Sequence, residues 1–211
     1  MRVEPVSEKV LVDRVVALVL DRAAQSPGSA VRLAVDGHPA TRPEALADAL
    51  VTPLQAAGRP VGRLHARDFL RPRSLRLEHG HEDPDALLDA WIDVAGMNRE
   101  ALSAVGPDGT GSYLPSLRDP STDRATRAAP VRAMPGLVLV LDGSLLLGRW
   151  LDLDHTVHLA LRPATEVRRT PPGERWTLPA YERYRDEVAP EDTADLVVRV
   201  DDPRHPAIVH R

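Results

Sequence analysis

Residues 31–44 read VRLAVDGHPATRPE, and this stretch decides the fold. Val31–Val35 is a short, mostly apolar run that predicts a buried strand. Asp36-Gly37 closes the run, and Glu44–Leu54 then places its apolar residues at helical spacing. A strand, a tight glycine turn and a helix N-terminus, in that order, present backbone N–H groups to an anion. The stretch therefore predicts a strand–turn–helix unit whose turn is a candidate phosphate-binding loop.

The rest of the chain predicts further strands and helices around this unit. Leu137–Leu141 reads LVLVL, and an apolar run without alternation is typical of a strand buried on both faces of a parallel sheet. The other predicted strands are Pro60–Ala66, Thr156–Leu161 and Ala194–Val200. The predicted helices are Ser7–Ala24 with Ser7 as N-cap, Glu44–Leu54, Pro84–Trp91, Asn98–Val105, a helix that ends at Val167, and Pro179–Val188. Strands that alternate with helices indicate an α/β fold, here a three-layer parallel sheet with five core strands.

We expect residues 1–211 to form one domain, because this length fits a single domain with a sizeable core. Residues 1–28 hold an N-terminal amphipathic helix, residues 67–135 form a helical and loop insertion, and residues 168–178 are rich in Arg, Pro and Gly. Ligands of open parallel sheets bind at the carboxyl ends of the strands. The residues of most interest are therefore those that directly follow strands.

Composition narrows the function classes. The chain has no Cys, which excludes a disulfide scaffold and thiolate metal sites. The net charge of −4 argues against non-specific binding of nucleic acid. No apolar run approaches the roughly 20 residues that span a bilayer, so we expect no membrane partner. Charged residues interrupt the N-terminal segment, which is therefore not a signal peptide, and we expect a cytoplasmic protein.

The candidate loop departs from the phosphate-binding pattern of Gly, four residues, Gly-Lys and Ser or Thr. Gly37 has the right spacing, but Arg42 stands at the second glycine, Pro43 at the lysine and Glu44 at the hydroxyl residue. Thr41-x-x-Glu44 also fits a capping box, with Pro43 in the first helical turn, where a missing N–H costs nothing. The loop alone leaves two interpretations open, a repaired phosphate site and a plain helix cap.

Several segments carry a family resemblance in their order along the chain. They are Val31–Leu50, Asp68-Phe69, Glu82-Asp-Pro-Asp-Ala86, Leu139–Gly143, the arginines Arg168, Arg169 and Arg175, and Tyr181…Val188-Ala-Pro190…Ala194-Asp195. Over residues 30–202 the chain resembles the uridine kinase branch of the P-loop nucleoside kinases, which is related to phosphoribulokinase. The resemblance implies a transferase that uses ATP with Mg²⁺ to phosphorylate a hydroxyl group of a small molecule such as a nucleoside.

The resemblance also implies roles for particular residues. It makes Asp68 the catalytic base that deprotonates the substrate hydroxyl, and it places Asp142 near Mg²⁺, with Glu44 in place of the missing hydroxyl ligand. It assigns nucleotide binding to Gly37, Thr41, Arg42, Glu44, Arg168, Arg169 and Arg175, the last three on a lid at 168–178. It assigns substrate binding to Asp83 and Arg124, within a substrate-side insertion at 67–135.

The near absence of lysine favours the main alternative to an active kinase. Lys9 is the only lysine of the chain, and it precedes the first core strand, so any phosphate donor near the loop must be arginine. The loss of one preorganised donor typically costs about 100- to 1000-fold in rate. We therefore keep three hypotheses: an active phosphotransferase in which Arg42 substitutes, a catalytically silent P-loop fold that serves as a binding or interaction module, and an anion site built from Arg73, Arg76, Arg124 and the lid. The oligomeric state is open.

Two minor patterns favour structural roles. His79-x-His81-x-Asp83 lacks the further ligands that a metal site needs. Trp91, Trp150 and Trp176 are scattered along the sequence, and we expect them to pack in the core or at its rim rather than stack on bases.

Overall fold

The structure is a computed structural model and describes residues 2–210. Its strands are β1 (Arg2–Pro5), β2 (Val31–Gly37), β3 (Val61–His65), β4 (Ser112–Tyr113), β5 (Arg118–Asp119), β6 (Arg124–Ala125), β7 (Val131–Arg132), β8 (Val138–Gly143), β9 (His155–Ala160), β10 (Leu196–Arg199) and β11 (Ala207–His210). Its α-helices are α1 (Glu8–Gln25), α2 (Pro43–Ala49), α3 (Val51–Ala56), α4 (Arg73–Arg76), α5 (Pro84–Ala90), α6 (Val94–Met97), α7 (Pro163–Arg169), α8 (Leu178–Val188) and α9 (Pro190–Thr193).

The main sheet has seven strands in the order β1-β11-β10-β9-β2-β8-β3. The five strands from β10 to β3 are parallel, which confirms the predicted α/β fold with its parallel core. The chain leaves β2 toward β3 on one side and later crosses to β9 on the other. The carboxyl end of β2 therefore lies at the topological switch point, where such sheets bind ligands.

Two antiparallel edge strands extend this parallel core and were not predicted. Strand β11 pairs with β10, and β1 pairs with β11 in the register Val3↔Val209. β1 is only four residues long and mostly exposed, so it lacks the apolar alternation by which a strand is identified in a sequence. α1 then carries the chain from β1 at the edge of the sheet to β2 in its middle.

The core occupies both faces of the sheet. On one face α1, α2 and α3 bury residues such as Val19 and Leu54 against the strands. On the opposite face, Phe69 and Met97 pack beneath the insertion, and Tyr184 of α8 packs beside them in a separate cluster. Each fully buried side chain of this size contributes about 1.5–3 kcal/mol, so the faces together fix the carboxyl ends of the strands in place.

Two predicted helices are less regular than expected. The segment Glu44–Leu54 is divided into α2 and α3 at Leu50, because Pro53 has no N–H to donate to the carbonyl four residues earlier. The segment predicted as a helix from Asn98 is a π-helical turn, Asn98–Leu102, followed by a 3₁₀ turn. Within residues 2–210, no helix is both long enough and apolar enough to cross a membrane.

Candidate functional site

The candidate site lies where the parallel strands β2, β3, β8 and β9 reach their carboxyl ends. Gly37 and Asp142 belong to the last residues of β2 and β8, and His65 ends β3. Asp142 and His65 are direct neighbours in the register of β3 and β8. The structure therefore places Gly37 and Asp142, two predicted site residues, at one edge of the sheet and adds His65, which was not predicted.

The loop after β2 is closed by its own hydrogen bonds. The N–H of Ala40 donates to His38 Nδ1 at 3.1 Å. The N–H of Thr41 donates to the His38 carbonyl at 2.8 Å, and that of Arg42 donates to the Pro39 carbonyl at 3.0 Å. Pro39 and Pro43 have no N–H to offer. The N–H groups of Ala40, Thr41 and Arg42 are therefore already used inside the loop, and its two prolines have none to offer.

Close packing at Gly37 shows how tightly this loop folds back on β2. A Cβ atom at Gly37 would lie 2.5 Å from Thr41 Oγ1 and 2.9 Å from Leu159 Cβ. Thr41 Oγ1 donates to the His38 carbonyl at 2.7 Å. The glycine is needed here for the close approach of a neighbouring side chain, a requirement independent of any bound phosphate.

The predicted capping box is not formed. The residue that caps α2 is Arg42, in the left-handed conformation with φ 56°, and it makes no side-chain cap. Thr41 lies one residue earlier and donates to a carbonyl instead of accepting from the helix. Glu44 lies in the first turn of α2, and its Oε1 is 3.7 Å from Nε of the 75 % exposed Arg42 side chain. The loop is closed, as the silent hypothesis requires, but by His38 and Pro39.

Asp142 is neutralised within the protein. Its Oδ1 lies 2.5 Å from an Arg63 guanidinium nitrogen and 2.8 Å from His65 Nδ1. Arg63 in turn reaches Asp48 of α2 at 2.9 Å. Among residues 2–210 there is no group of three or more His, Asp or Glu side chains arranged to hold a metal ion. The carboxylate of Asp142 therefore already has partners within the protein, and the assignment of Asp142 and Glu44 to Mg²⁺ stays a prediction.

Asp68 has the most base-like surroundings of the predicted residues. It lies in the 3₁₀ turn Ala66–Phe69 directly after β3 and is half-buried. Burial raises the pKa of the Asp68 carboxyl, while the nearby charges of His65 and Arg67 lower it. Because this turn directly follows β3, Asp68 lies at the same edge of the sheet as Asp142.

The lid and substrate residues are spread over the surface. Arg169 donates to the carbonyls of Val200 and Asp201 at 3.1 Å and 2.6 Å, which ties the end of α7 to the end of β10. Arg168, Arg175 and Arg124 are exposed. Asp83 is the N-cap of α5, with its Oδ1 accepting from the N–H groups of two residues that follow it. Of these residues, Arg169 shares a cavity with Thr41 and Arg42 of the loop.

A buried network at the carboxyl end of β2 was not predicted from the sequence. Asp36 is 0 % exposed, and its carboxylate accepts from the Tyr184 hydroxyl at 2.9 Å and the Leu146 N–H at 2.9 Å. His158 Nδ1 lies 2.7 Å from the same carboxylate, and Tyr184 accepts from the Leu147 N–H at 2.9 Å. The sequence held one signal of this network: Asp36 and His158 are polar residues at strands that were predicted to be buried.

A second buried network fixes the loop from the side of α7. The Thr170 hydroxyl donates its hydrogen to the Glu166 carbonyl at 2.8 Å. In its contact with His38 Nε2, 3.2 Å away, Thr170 Oγ1 is therefore the acceptor and Nε2 is the donor. Because Nδ1 accepts from Ala40, the imidazole is neutral. Burial, helped by the charge of Arg185, lowers the pKa of His38 to about 4. Glu166 is buried against Arg185 at 2.8 Å, and burial raises its pKa.

The cavities near the loop differ in what they can hold. The cavity between His38, His158 and Glu166 measures about 20 Å³, which is room for one water molecule and no substrate. The Asp36–His158 pair is therefore structural. A larger cavity of about 230 Å³ lies beside the loop, between the start of α1, residues 40–46 and Arg169. Its nearest fixed cation, Arg169, already donates to two carbonyls.

Comparisons with known proteins identify the fold. No protein-family model matches the sequence, and no curated protein matches it. A possible uridine kinase from Bacillus stearothermophilus has a similar structure, with a TM-score of 0.67 and 20% identity over 89% of this chain and 98% of that chain. A candidate fructose transport system kinase from Silicibacter sp. TM1040 is also similar, with a TM-score of 0.60 and 22% identity over 87% of this chain and 89% of that chain.

Both similarities extend over most of this chain, and identities of 20% and 22% establish a shared fold and no shared activity. The resemblance inferred from the order of sequence segments is thus confirmed at the level of the fold: the chain has the α/β fold of these two structures.

Proposed function

We propose that this chain is a catalytically silent P-loop kinase-like protein that acts as a binding or interaction module. The observation that carries the proposal is the closed loop, in which Ala40, Thr41 and Arg42 donate their N–H groups to acceptors of the loop itself. A phosphate that accepts from these N–H groups must first displace the acceptors of the loop itself, so the loop is not preorganised for an anion.

Electrostatics supports the same function. The lysine position is Pro43, and the helix N-terminus that would attract phosphate carries the carboxylate of Glu44 instead. Phosphoryl transfer depends on positioning and charge neutralisation, and losing two preorganised donors at about 100- to 1000-fold each costs about 10⁴- to 10⁶-fold in rate. Asp142 offers no compensation, because Arg63 and His65 already hold its carboxylate.

The direct test measures nucleotide binding and turnover together. We expect no stabilisation of the chain by millimolar ATP with Mg²⁺ in thermal unfolding, and no ADP release with a panel of nucleosides. A ligand at 100 times its dissociation constant would add about 2.7 kcal/mol to the free energy of unfolding, which such a scan detects readily. ATP-dependent stabilisation or turnover by the natural sequence would contradict the proposal.

A gain-of-binding variant makes a negative result informative. The combined substitutions Arg42→Gly, Pro43→Lys and Glu44→Thr restore the phosphate-loop residues on the existing fold. We expect ATP to stabilise this variant if the fold around the loop is competent. Arg42→Gly alone is the matched control, because it frees the backbone without supplying a lysine or a hydroxyl.

A second candidate function is phosphoryl transfer to a small hydroxyl substrate, and one observation favours it. Burial raises the pKa of Asp68, as suits a base that takes a proton near neutral pH. Under this alternative the chain releases ADP with one member of the panel, and Asp68→Asn abolishes that release. Asp108→Asn, on an exposed residue of the insertion, is the control and leaves turnover unchanged.

A further inference from the structure

A cavity of about 480 Å³ lies at the amino ends of β2, β8 and β9, whereas the loop after β2 lies at the carboxyl ends of these strands. Its walls come from three turns, within residues 26–31, 105–107 and 133–135, and from the charged side chains of Arg22, Arg32 and Asp154. Sites for small molecules typically measure about 300–1,000 Å³. The cavity is therefore large enough for a small ligand, and the length of β2 separates it from the loop.

Two arginines share one carboxylate in the wall of this cavity. Arg32 donates to Asp154 through Nε at 2.9 Å and Nη2 at 3.2 Å, and Arg22 Nη2 lies 3.4 Å from the same carboxylate. Burial disfavours the ionised form of Asp154, but the hydrogen bonds and charge of Arg32 and the charge of Arg22 outweigh it and lower the pKa of this carboxyl. The charged side chains of the lining therefore sum to one positive charge. Arg22 lies in the last turn of α1, whose partial negative charge of about half a unit reduces this surplus without cancelling it.

Arg22 is the group of this wall that is able to receive an anion. The side chains of Arg32 and Asp154 are largely buried, whereas that of Arg22 is 41% exposed. Arg22 contacts Asp154 through one nitrogen, and a guanidinium has five N–H donors in a fixed fork. A carboxylate matches this fork, because it accepts two parallel N–H bonds. The hydroxyls of Ser26 and Ser29 line the same cavity and are further donors for such an anion.

The remaining walls of the cavity are largely apolar. They include Val105, Pro107, Met134 and Pro135. Met134 is 58% exposed, and methionine is a flexible side chain that adapts its shape to a bound molecule. A ligand with an apolar body would cover Met134 and remove apolar surface from water, which is favourable. The cavity thus combines a surplus cation with an exposed apolar side chain.

Backbone hydrogen bonds between the turns keep the cavity open. The N–H of Gly136 donates to the Gly28 carbonyl at 2.9 Å, which joins the turn before β2 to the turn before β8. The N–H of Leu137 donates to the Met134 carbonyl at 3.0 Å, which fixes the backbone at Met134. Because the walls are already ordered, a ligand loses little free energy in ordering them when it binds.

We propose that this cavity binds a small organic carboxylate with an apolar body, with Arg22 holding the carboxylate and Met134 covering the body. The positive surplus selects an anion over a neutral or cationic molecule. The apolar walls select an acid with an apolar body over acetate or inorganic phosphate. The site lies at the other end of the strands from the loop after β2, so its failure would leave the proposed function unchanged.

The experiment titrates the full chain with 3-phenylpropionate in a calorimeter and compares it with the neutral amide of the same acid. We expect the acid to bind and the amide to bind at least about tenfold more weakly, because the amide carries no charge for the guanidinium of Arg22. Acetate and inorganic phosphate test the apolar walls, and we expect both to bind more weakly than 3-phenylpropionate. Binding of all three anions with one affinity would contradict the proposed ligand class.

Two variants separate the cation from the apolar wall. Arg22→Gln is expected to weaken binding of the acid about ten- to hundredfold and to abolish the preference for the acid over the amide, while Arg32 still holds Asp154. Met134→Ser leaves the ion pairs untouched and is expected to weaken the acid and the amide alike, about fivefold. Arg14→Gln makes the same charge change two turns earlier on α1 and is the control that leaves the affinity unchanged. No binding of the acid, equal binding of acid and amide, or an equal loss in Arg14→Gln and Arg22→Gln would each overturn the proposal.

Discussion

The loops that follow β2 and β8 satisfy their backbones in opposite ways. The loop after β2 turns its N–H groups inward, onto His38 and Pro39, and rests on buried networks. The loop after β8 carries left-handed residues at Leu145, Gly148 and Trp150 and leaves its tryptophan in solvent. The first loop closes on its own acceptors, whereas the second is held by side chains of other elements, Asp36 and Asn98 among them.

The largest expected effect comes from breaking the buried network at Asp36, which ties the end of β2 to the loop after β8. Asp36→Ala leaves the Tyr184 hydroxyl and the Leu146 N–H without their acceptor, and it leaves His158 buried without its partner. Breaking a buried polar network in this way costs about 3–5 kcal/mol. Urea unfolding measures the loss, and Asp108→Ala on the exposed insertion is the control. A loss below about 1 kcal/mol would show that the network does not stabilise the fold.

The next effect is a pH dependence centred on the same loop. Because the pKa of His38 is lowered from 6.5 to about 4 in the folded chain, the unfolded chain binds a proton between these pH values that the folded chain does not. The contribution of His38 to stability is complete above pH 6.5 and is lost as the pH falls to about 4, by about 3 kcal/mol in total.

The variant His38→Asn isolates this contribution. Asparagine retains an acceptor for the Ala40 N–H but does not titrate, so the difference in unfolding free energy between the two proteins should change between pH 6.5 and pH 4. His79→Asn, on an exposed histidine, provides the baseline. Parallel pH profiles for the natural sequence and His38→Asn would mean that the imidazole is not buried as a neutral group.

The two loops also show what a sequence can predict here. The parallel core was predictable because unbroken apolar runs such as Leu137–Leu141 occur only where both faces of a sheet are covered. The glycine turn was predictable from Asp36-Gly37, but its closure was not. That closure depends on His38. Its Nδ1 accepts from the N–H of Ala40, two residues along the chain, but its tautomer is set by Thr170, which directly follows α7.

The remaining features were beyond sequence reasoning for physical reasons. β1 is too short to show a period, and its pairing with β11 is set by the path of α1. The pairing of Asp142 with Arg63 depends on the register of two strands. The exposure of Trp150 depends on a left-handed backbone, which tryptophan does not favour and which its sequence neighbours do not signal.

The smallest effect compares the two loops directly through their left-handed residues. Arg42 and Trp150 have φ of 56° and 58°, so glycine relieves a similar strain at each position. We expect Arg42→Gly and Trp150→Gly each to raise the free energy of unfolding of the monomer by up to about 1 kcal/mol, net of the greater freedom of the unfolded chain. Chemical unfolding of each variant beside the natural sequence measures this gain. A loss of stability in Trp150→Gly beside a gain in Arg42→Gly would show that the indole packs within the protein, and the contrast between the two loops would then be wrong.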